Sequence, residues 1–179
     1  MPRNPLVGLV LSATMVLAAC APAEEQQSTA EEAATTEQGE SFSIEGTYRL
    51  VSRELPDGTT QEPPDVVGLI TYTKNYRNFN IMVSDAEGRR YSVSYIANYA
   101  LTATEYSETS IYRMVNDEIG GGGLSYDLSG PSGSSPVTTE NGLIEVVFPL
   151  YQEPTVIFEG DKITATIEGE FTDFWERVE

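Results

Sequence analysis

Hydrophobic and polar residues alternate with a period of two along most of the chain beyond residue 41. In the first such run, Tyr48 and Leu50 fall on one face, while Thr47 and Arg49 fall on the other. This alternation is typical of a β-strand with one buried and one solvated face. No segment sustains a period of 3.6, so we expect any helix to be short.

Nine such runs are rich in β-branched and aromatic residues and are separated by turn signals. They cover residues 44–54, 67–73, 76–84, 90–99, 102–115, 143–151, 155–159, 162–168 and 171–178. The pairs Asp57-Gly58 and Asn141-Gly142 in two of the turns supply the positive φ that tight hairpins need. The pattern therefore predicts an all-β fold over residues 41–179, an antiparallel up-and-down β-barrel.

Residues 117–139 break this pattern. They contain four consecutive glycines at positions 120–123 and a Ser/Gly/Pro-rich stretch at 129–136. We predict a long mobile loop here, with a flexible lid over one end of the barrel as an open alternative. A phosphate-binding loop is disfavoured, because no helical pattern follows the glycines and no lysine is near.

The N-terminal forty residues differ from the rest. Arg3, an apolar run over residues 6–16 and the small residues that follow have the three parts of an export signal. The apolar segment ends by residue 19 and is shorter than the about 20 residues that a membrane span needs. Residues 21–40 hold several glutamates, no basic residue and no aromatic residue. They predict a disordered acidic linker.

The chemistry of the side chains excludes several classes of function. Histidine is absent and Cys20 is the single cysteine. Internal disulfides, zinc sites of thiolate or imidazole, and His-based catalytic triads are therefore excluded. The net charge of −18, from 28 acidic and 10 basic residues, repels nucleic acid. We expect a monomer that is not an enzyme and holds no cofactor or metal.

The segment Leu17-Ala18-Ala19-Cys20 resembles the bacterial lipobox. This resemblance implies cleavage before Cys20, a diacylglyceryl thioether on its sulfur, and usually acylation of the new amine, with palmitate as the expected chain. The chain is then divided into a lipoprotein signal peptide (1–19), a lipidated cysteine with its linker (20–40) and the barrel domain (41–179). It is expected in the cell envelope, anchored on the extracytoplasmic side, and Ala21 favours the outer membrane of a Gram-negative cell.

Both ends of the barrel domain resemble lipocalin-like domains of the calycin group. The closing segment Trp175-Glu176-Arg177-Val178 is similar to the family's Trp-x-Arg-Val, and a Gly-x-Trp-x-Leu-x-Ser opening is matched by Gly46-Thr47-Tyr48-Arg49-Leu50-Val51-Ser52. The resemblance implies that Tyr48, Trp175 and Arg177 close the barrel. Because Tyr48 replaces a tryptophan, a cation–π contact with Arg177 is expected to contribute only about 0.5–1 kcal/mol. The alternative, in which Arg177 reaches solvent and Trp175 is ordinary core, stays open.

The same resemblance implies a barrel that binds or carries a small apolar ligand in the cell envelope. An eight-stranded barrel is just wide enough either to be filled by side chains or to hold one small ligand. The aromatic residues expected to point inward and line such a ligand are Tyr48, Tyr72, Phe79, Tyr95, Tyr112, Phe148 and Phe158. The alternative function is that of a structural or assembly lipoprotein, with a filled barrel that contacts a protein partner.

Overall fold

A computed structural model describes residues 43–178 of the chain. The expected signal peptide, Cys20 and the acidic linker lie outside the described residues. Residues 43–178 form twelve β-strands and no helix. The strands are β1 (Gly46–Glu54), β2 (Thr60–Gln61), β3 (Val66–Tyr72), β4 (Tyr76–Ser84), β5 (Arg90–Leu101), β6 (Glu105–Asp117), β7 (Gly123–Asp127), β8 (Ser132–Glu140), β9 (Leu143–Val147), β10 (Thr155–Glu159), β11 (Lys162–Ile167) and β12 (Phe171–Arg177).

Ten of these strands form a closed antiparallel barrel. The circuit follows chain order from β1 through β3, β4, β5, β6, β8, β9, β10 and β11 to β12, and β12 then pairs with β1. The short strand β2 pairs with the end of β1, and β7 pairs with β6, so both lie off the circuit. The prediction of an all-β antiparallel barrel is confirmed, although the circuit has ten strands where an eight-stranded barrel was considered.

The prediction of a long loop over residues 117–139 is wrong, because this segment supplies two strands. The two halves of the long strand β6 pair with different strands. Residues 113–117 pair with β7, and residues 105–109 pair with β8. β8 continues the barrel wall, with Val137 opposite Val146 of β9. Serine, glycine and threonine have modest strand preference, so pairing with a preformed neighbour rather than local propensity decides this segment.

The predicted run 143–151 is too long at its C-terminal end. β9 ends at Val147, and residues 148–154 form a loop in which Tyr151 and Gln152 both have positive φ, at 57° and 55°. Pro149 and Pro154 cannot donate a ladder hydrogen bond, which explains why strand pairing stops here. The other predicted runs agree with observed strands to within a few residues. β5 is two residues longer than expected, and β6 begins three residues later and ends two residues later than expected.

One end of the barrel is filled by five aromatic side chains and one isoleucine, a group that we call the floor. Its members are Ile44, Tyr48, Tyr72, Tyr99, Tyr106 and Phe158, all buried. Tyr72 is central, because its ring makes edge-to-face contacts with Tyr48, Tyr99 and Phe158 at centroid distances of 6.3, 5.6 and 5.6 Å. Such contacts add about 0.5–1.5 kcal/mol each to the burial of the rings. The floor therefore seals this end of the barrel.

Candidate functional site

The barrel interior above the floor is not filled. It holds a cavity of about 440 Å³, within the range of small-molecule sites. The cavity extends to the end of the barrel where the turn between β11 and β12 lies, and there it is lined by Glu170, which is exposed. The apolar part of its wall includes Ile70, Ile81, Val93, Val156, Ile163 and Ala165.

Strand alternation explains why these apolar residues face the cavity. In β11, Ile163 and Ala165 are buried and line the cavity, whereas Thr164 between them is only half-buried. Successive side chains of a strand point to opposite faces, so the period of two read from the sequence becomes an apolar lining inside the barrel. The cavity is a consequence of this alternation on a circuit wider than eight strands.

A buried polar cluster lies in the interior beside the cavity; we call it the Arg77 cluster. Nη1 of Arg77 donates to Glu108 Oε2 at 3.1 Å and to Glu153 Oε2 at 2.6 Å. Glu108 also accepts hydrogen bonds from the hydroxyls of Tyr95 and Tyr106, both at 2.5 Å. These residues come from β4, β5, β6 and the β9–β10 loop, so the cluster ties distant parts of the barrel together. With both carboxylates ionised, the cluster carries more negative than positive charge.

Burial controls the ionisation of this cluster. Desolvation raises the pKa of Glu153, and the nearby Glu108 raises it further, while Arg77 acts in the opposite direction. Desolvation also raises the pKa of Tyr95 and of Tyr106 well above the ordinary tyrosine value. Both phenols therefore stay protonated and act as donors to Glu108.

Three cavity-lining residues each have a buried polar atom without a hydrogen-bond partner among the described residues. The atoms are Oη of Tyr72, Nε of Arg77 and Nε1 of Trp175. Each of the three residues is only 2% exposed. Buried polar groups are paired in the great majority of cases, so three unpaired donors around one cavity are a feature that needs explanation.

The open end of the cavity carries a second buried ion pair. Arg53 Nε and Nη2 donate to the two carboxylate oxygens of Asp173 at 2.6 and 2.8 Å. The guanidinium of Arg53 also lies 3.7 Å from the ring centroid of Phe171. Desolvation raises the pKa of Asp173, and the contact with Arg53 lowers it.

Of the seven aromatic residues predicted to line a ligand, three do line the cavity: Tyr72, Phe79 and Phe148. Tyr48 and Phe158 are buried in the floor, and neither is part of the cavity lining. These five residues thus belong to the floor or to the cavity wall above it, and Tyr72 belongs to both.

The two remaining residues of the predicted set lie elsewhere. Tyr95 is buried with its hydroxyl bonded to Glu108, and it does not line the cavity. Tyr112 does not point inward, contrary to the prediction, because the pairing of β5 with β6 shifts register between Ile96 and Ala97. This bulge reverses the alternation, so Tyr112 pairs with the exposed Ile96, while the next residue, Arg113, lines the cavity.

The residues predicted to close the barrel meet across the pair β1–β12. Tyr48 is opposite Arg177 and Leu50 is opposite Trp175 in the register. Cζ of Arg177 lies 4.7 Å from the ring centroid of Tyr48, and its Nη2 donates to the Tyr48 hydroxyl at 2.6 Å. The Tyr48 hydroxyl in turn donates to the backbone carbonyl of Ile44 at 3.3 Å. Arg177 therefore lies at the edge of the floor and is held there by its contacts with Tyr48.

Sequence reasoning missed the charged residues of the interior. A signal was present, because Arg77 is in phase with the inward residues Phe79 and Ile81 of β4, and Glu108 is in phase with the inward Tyr106 of β6. A charged residue at an inward position of a strand is costly unless it is paired, so such a position predicts a buried ion pair. The partner of each charge lies on another strand and is not encoded locally.

A second hollow, of about 680 Å³, lies on the outer wall of the barrel over β1, β3, β4 and β5. It includes Val67 and Leu69, which are exposed. It has no buried polar group comparable to the Arg77 cluster, so the interior cavity is the better candidate site.

The chain matches no known protein family, and no curated protein sequence matches it. Within residues 43–178, no three carboxylate or thiol side chains come together in a way that could hold a metal ion. The same residues contain no helix long and apolar enough to cross a membrane.

Proposed function

We propose that this chain is a lipid-anchored lipoprotein of the cell envelope whose β-barrel binds or carries a small apolar ligand. The observation that carries the proposal is the cavity of about 440 Å³ inside a closed barrel, walled by Ile70, Ile81, Val93 and Ile163. Moving apolar surface of a ligand from water into such a wall contributes roughly 25 cal/mol per Å². A cavity of this size and chemistry supports binding of a compact apolar molecule.

The anchoring part of the proposal rests on Cys20 and its lipobox resemblance. We expect Cys20→Ser to abolish lipidation, to leave the signal uncleaved and to release the protein from membranes after an alkaline wash that strips peripheral proteins. Two or more acyl chains make an effectively permanent anchor, so the wild-type chain should resist the same wash. Ala21→Ser, which leaves the sulfur in place, is the matched control. Firm retention and normal processing of the serine variant would contradict the proposal.

Ligand binding can be followed with the protein's own fluorescence. Trp175 is the single tryptophan of the chain and lines the cavity. We expect N-phenyl-1-naphthylamine, an uncharged apolar dye, to quench Trp175 by energy transfer in a saturable way when added to the full chain held in a non-ionic amphipathic polymer. The dye's own emission should rise with the same concentration dependence.

A pair of neighbouring positions in β11 provides the variant and its control. Ala165 is buried and lines the cavity, whereas Thr164 is half-buried and on the other face of the strand. Ala165→Phe should fill part of the cavity and weaken dye binding by tenfold or more, and Thr164→Phe should change it little. Equal effects of the two substitutions, or no saturable quenching in the wild type, would argue against a ligand site in the barrel.

A second candidate function is contact with a protein partner, as in a structural or assembly lipoprotein. The observation that favours it is strand β7, which pairs with β6 and with no other described strand. β7 and the residue after it expose Leu124 (56%), Tyr126 (61%) and Leu128 (72%). An open strand edge with apolar side chains is suited to the addition of a strand from another protein. Crosslinking in intact cells from position 128 tests this candidate, and a Tyr126→Glu variant that keeps this crosslinking residue should lose any specific product.

A further inference from the structure

The cavity has a chemical character beyond its apolar wall, and this character restricts what it can hold. This inference rests on the proposed function, since it concerns the ligand of the same cavity. Two independent features bear on it: the unpaired buried donors and the sign of the charge in the interior.

The first feature is the set of three donors already described. The indole Nε1 of Trp175 and the guanidinium Nε of Arg77 can only donate hydrogen bonds. Burial raises the pKa of Tyr72, so its hydroxyl also keeps its proton and is available as a donor. Tyr72 is opposite Arg77 in the pairing of β3 with β4, and both side chains are buried, so Tyr72 lies beside the Arg77 cluster. Leaving such donors unpaired is costly, and a ligand oxygen that accepts from them removes that cost.

The second feature is that the interior holds no excess of positive charge. Three arginines line the cavity, but four carboxylates line it too. Arg53 is committed to Asp173, and Arg77 is committed to two carboxylates, Glu153 and Glu108. A carboxylate or phosphate ligand brought beside the Arg77 cluster would meet these anions at short range in a medium of low dielectric constant. The third arginine of the lining, Arg113, lies over the ring of Tyr151 at 4.5 Å. The lining as a whole still holds one more carboxylate than it holds arginines, and this excess of negative charge disfavours an anionic headgroup.

We infer that the barrel takes an uncharged ligand that is mainly apolar and carries at least one oxygen acceptor, such as a ketone, ester or ether, and that it discriminates against anionic amphiphiles. The acceptor would lie at the inner end of the cavity beside Tyr72 and Arg77, which are opposite each other in the pairing of β3 with β4. The apolar body would extend along the wall of Ile81 and Val93 toward the open end.

Four probes of matched length test this inference: octan-2-one, octane, octanoate and octylammonium. Each is titrated into the full chain in a non-ionic amphipathic polymer at pH 7.5, with the emission of Trp175 or displacement of the neutral dye as the readout. We expect octan-2-one to bind about tenfold more tightly than octane, because it satisfies donors that the alkane leaves unpaired. Octanoate should bind more weakly than octan-2-one by at least the same factor.

Two variants assign the discrimination to particular groups. Tyr72→Phe removes the unpaired hydroxyl and should reduce the preference for octan-2-one over octane. Its control is Tyr99→Phe, whose hydroxyl donates to the carbonyl of Thr73 at 2.6 Å and whose side chain is not part of the cavity lining. Glu153→Gln removes one carboxylate beside Arg77 and should strengthen octanoate binding severalfold relative to octan-2-one.

The possible results separate this inference from the proposed function. If no probe binds and the emission of Trp175 does not change, the barrel is not a ligand carrier, and both the proposed function and this inference are wrong. If octanoate or octylammonium binds more tightly than octan-2-one, or if octane binds as well as octan-2-one, the proposed function stands and the inference is overturned. The inference is supported if octan-2-one binds most tightly of the four probes and if its preference over octane is reduced by Tyr72→Phe but not by Tyr99→Phe.

Discussion

The indole ring of Trp175 in β12 packs directly against Gly68 in β3, where a side chain would clash with it. A Cβ atom added at Gly68 would lie 2.6 Å from Cη2 of Trp175 and 3.0 Å from its Cζ3. The missing side chain therefore makes the space into which the indole of Trp175 extends. Trp175 is buried, lines the cavity and packs against Phe79 at a centroid distance of 6.1 Å, so the glycine helps to set the shape of the cavity wall.

We expect Gly68→Ala to destabilise the barrel by about 1–3 kcal/mol, as other cases of overpacking do. It should also shift the emission of Trp175. The free energy of unfolding is measured by urea denaturation followed by far-UV circular dichroism. In a Trp175→Phe background the ring is shorter, so the added methyl should cost much less. Equal costs in the two backgrounds would show that the indole is not what the alanine meets.

The contact between Arg177 and Tyr48 should contribute measurably to the closure of the barrel. Arg177→Gln removes a hydrogen bond to the Tyr48 hydroxyl and a cation over its ring, and we expect a loss of about 1–3 kcal/mol. Tyr48→Phe keeps the ring but removes the hydroxyl, so the two single losses should not add in the double variant. Arg49→Gln, an exposed position of the same strand pair, is the control and should have little effect. Additive losses would contradict a direct interaction.

Stability should depend on pH through Glu153. Its pKa in the folded protein is raised, chiefly by burial, so the folded state holds this proton more tightly than the unfolded state does. The stability associated with the protonated group is fully present below the unfolded pKa and is lost as pH rises through the folded pKa. Glu153→Gln cannot ionise, and it should therefore gain stability relative to the wild type as pH rises from about 4 to 8, by roughly 1.4 kcal/mol for each unit of pKa elevation.

Urea titrations at several pH values measure this difference. Glu87→Gln, which alters a carboxylate on the exposed turn between β4 and β5, is the surface control measured alongside it. A Glu153→Gln difference that is flat, or that falls with rising pH, would contradict the raised pKa.

Removing one partner of the buried ion pair of Arg53 and Asp173 should lower stability strongly, whereas replacing both partners with apolar residues should lower it little. Asp173→Asn leaves the guanidinium of Arg53 buried without a counter-charge, and we expect a loss of about 3–5 kcal/mol. The double variant Arg53→Met, Asp173→Leu should lose far less, because no charge remains to be desolvated. The exposed ion pair of Arg89 and Glu87, at 3.5 Å, is the comparison for the buried pair: Glu87→Gln should lower the free energy of unfolding by less than about 1 kcal/mol. A double variant as unstable as Asp173→Asn would contradict this account.

The strands themselves were largely predictable from local pattern. Alternation such as that of the buried Tyr48 and Leu50 predicts an antiparallel barrel, and the structure has one. The turn residues Asn141 and Gly142 have the positive φ that the sequence predicts, at 52° and 81°. The candidate site was predictable only in part: Tyr72, Phe79 and Phe148 line the cavity, but the inward set also included Tyr112, which a bulge turns outward. A bulge inserts one residue and reverses a period of two, and nothing in the local pattern marks its position.

The residues of the chain, taken alone, establish which segments extend, which of their faces are apolar, and that chemistry based on histidine is absent. The folded arrangement alone settles the rest: β8 becomes a strand because β6 and β9 pair with it, and the circuit closes at ten strands. It also brings Arg77 to Glu108 and Glu153, which lie 31 and 76 residues further along the chain. The physical reason is that alternation and turn propensity act over a few residues. Register, closure and the pairing of buried charges depend on contacts between segments far apart in sequence, each of which is stable only when the other is in place.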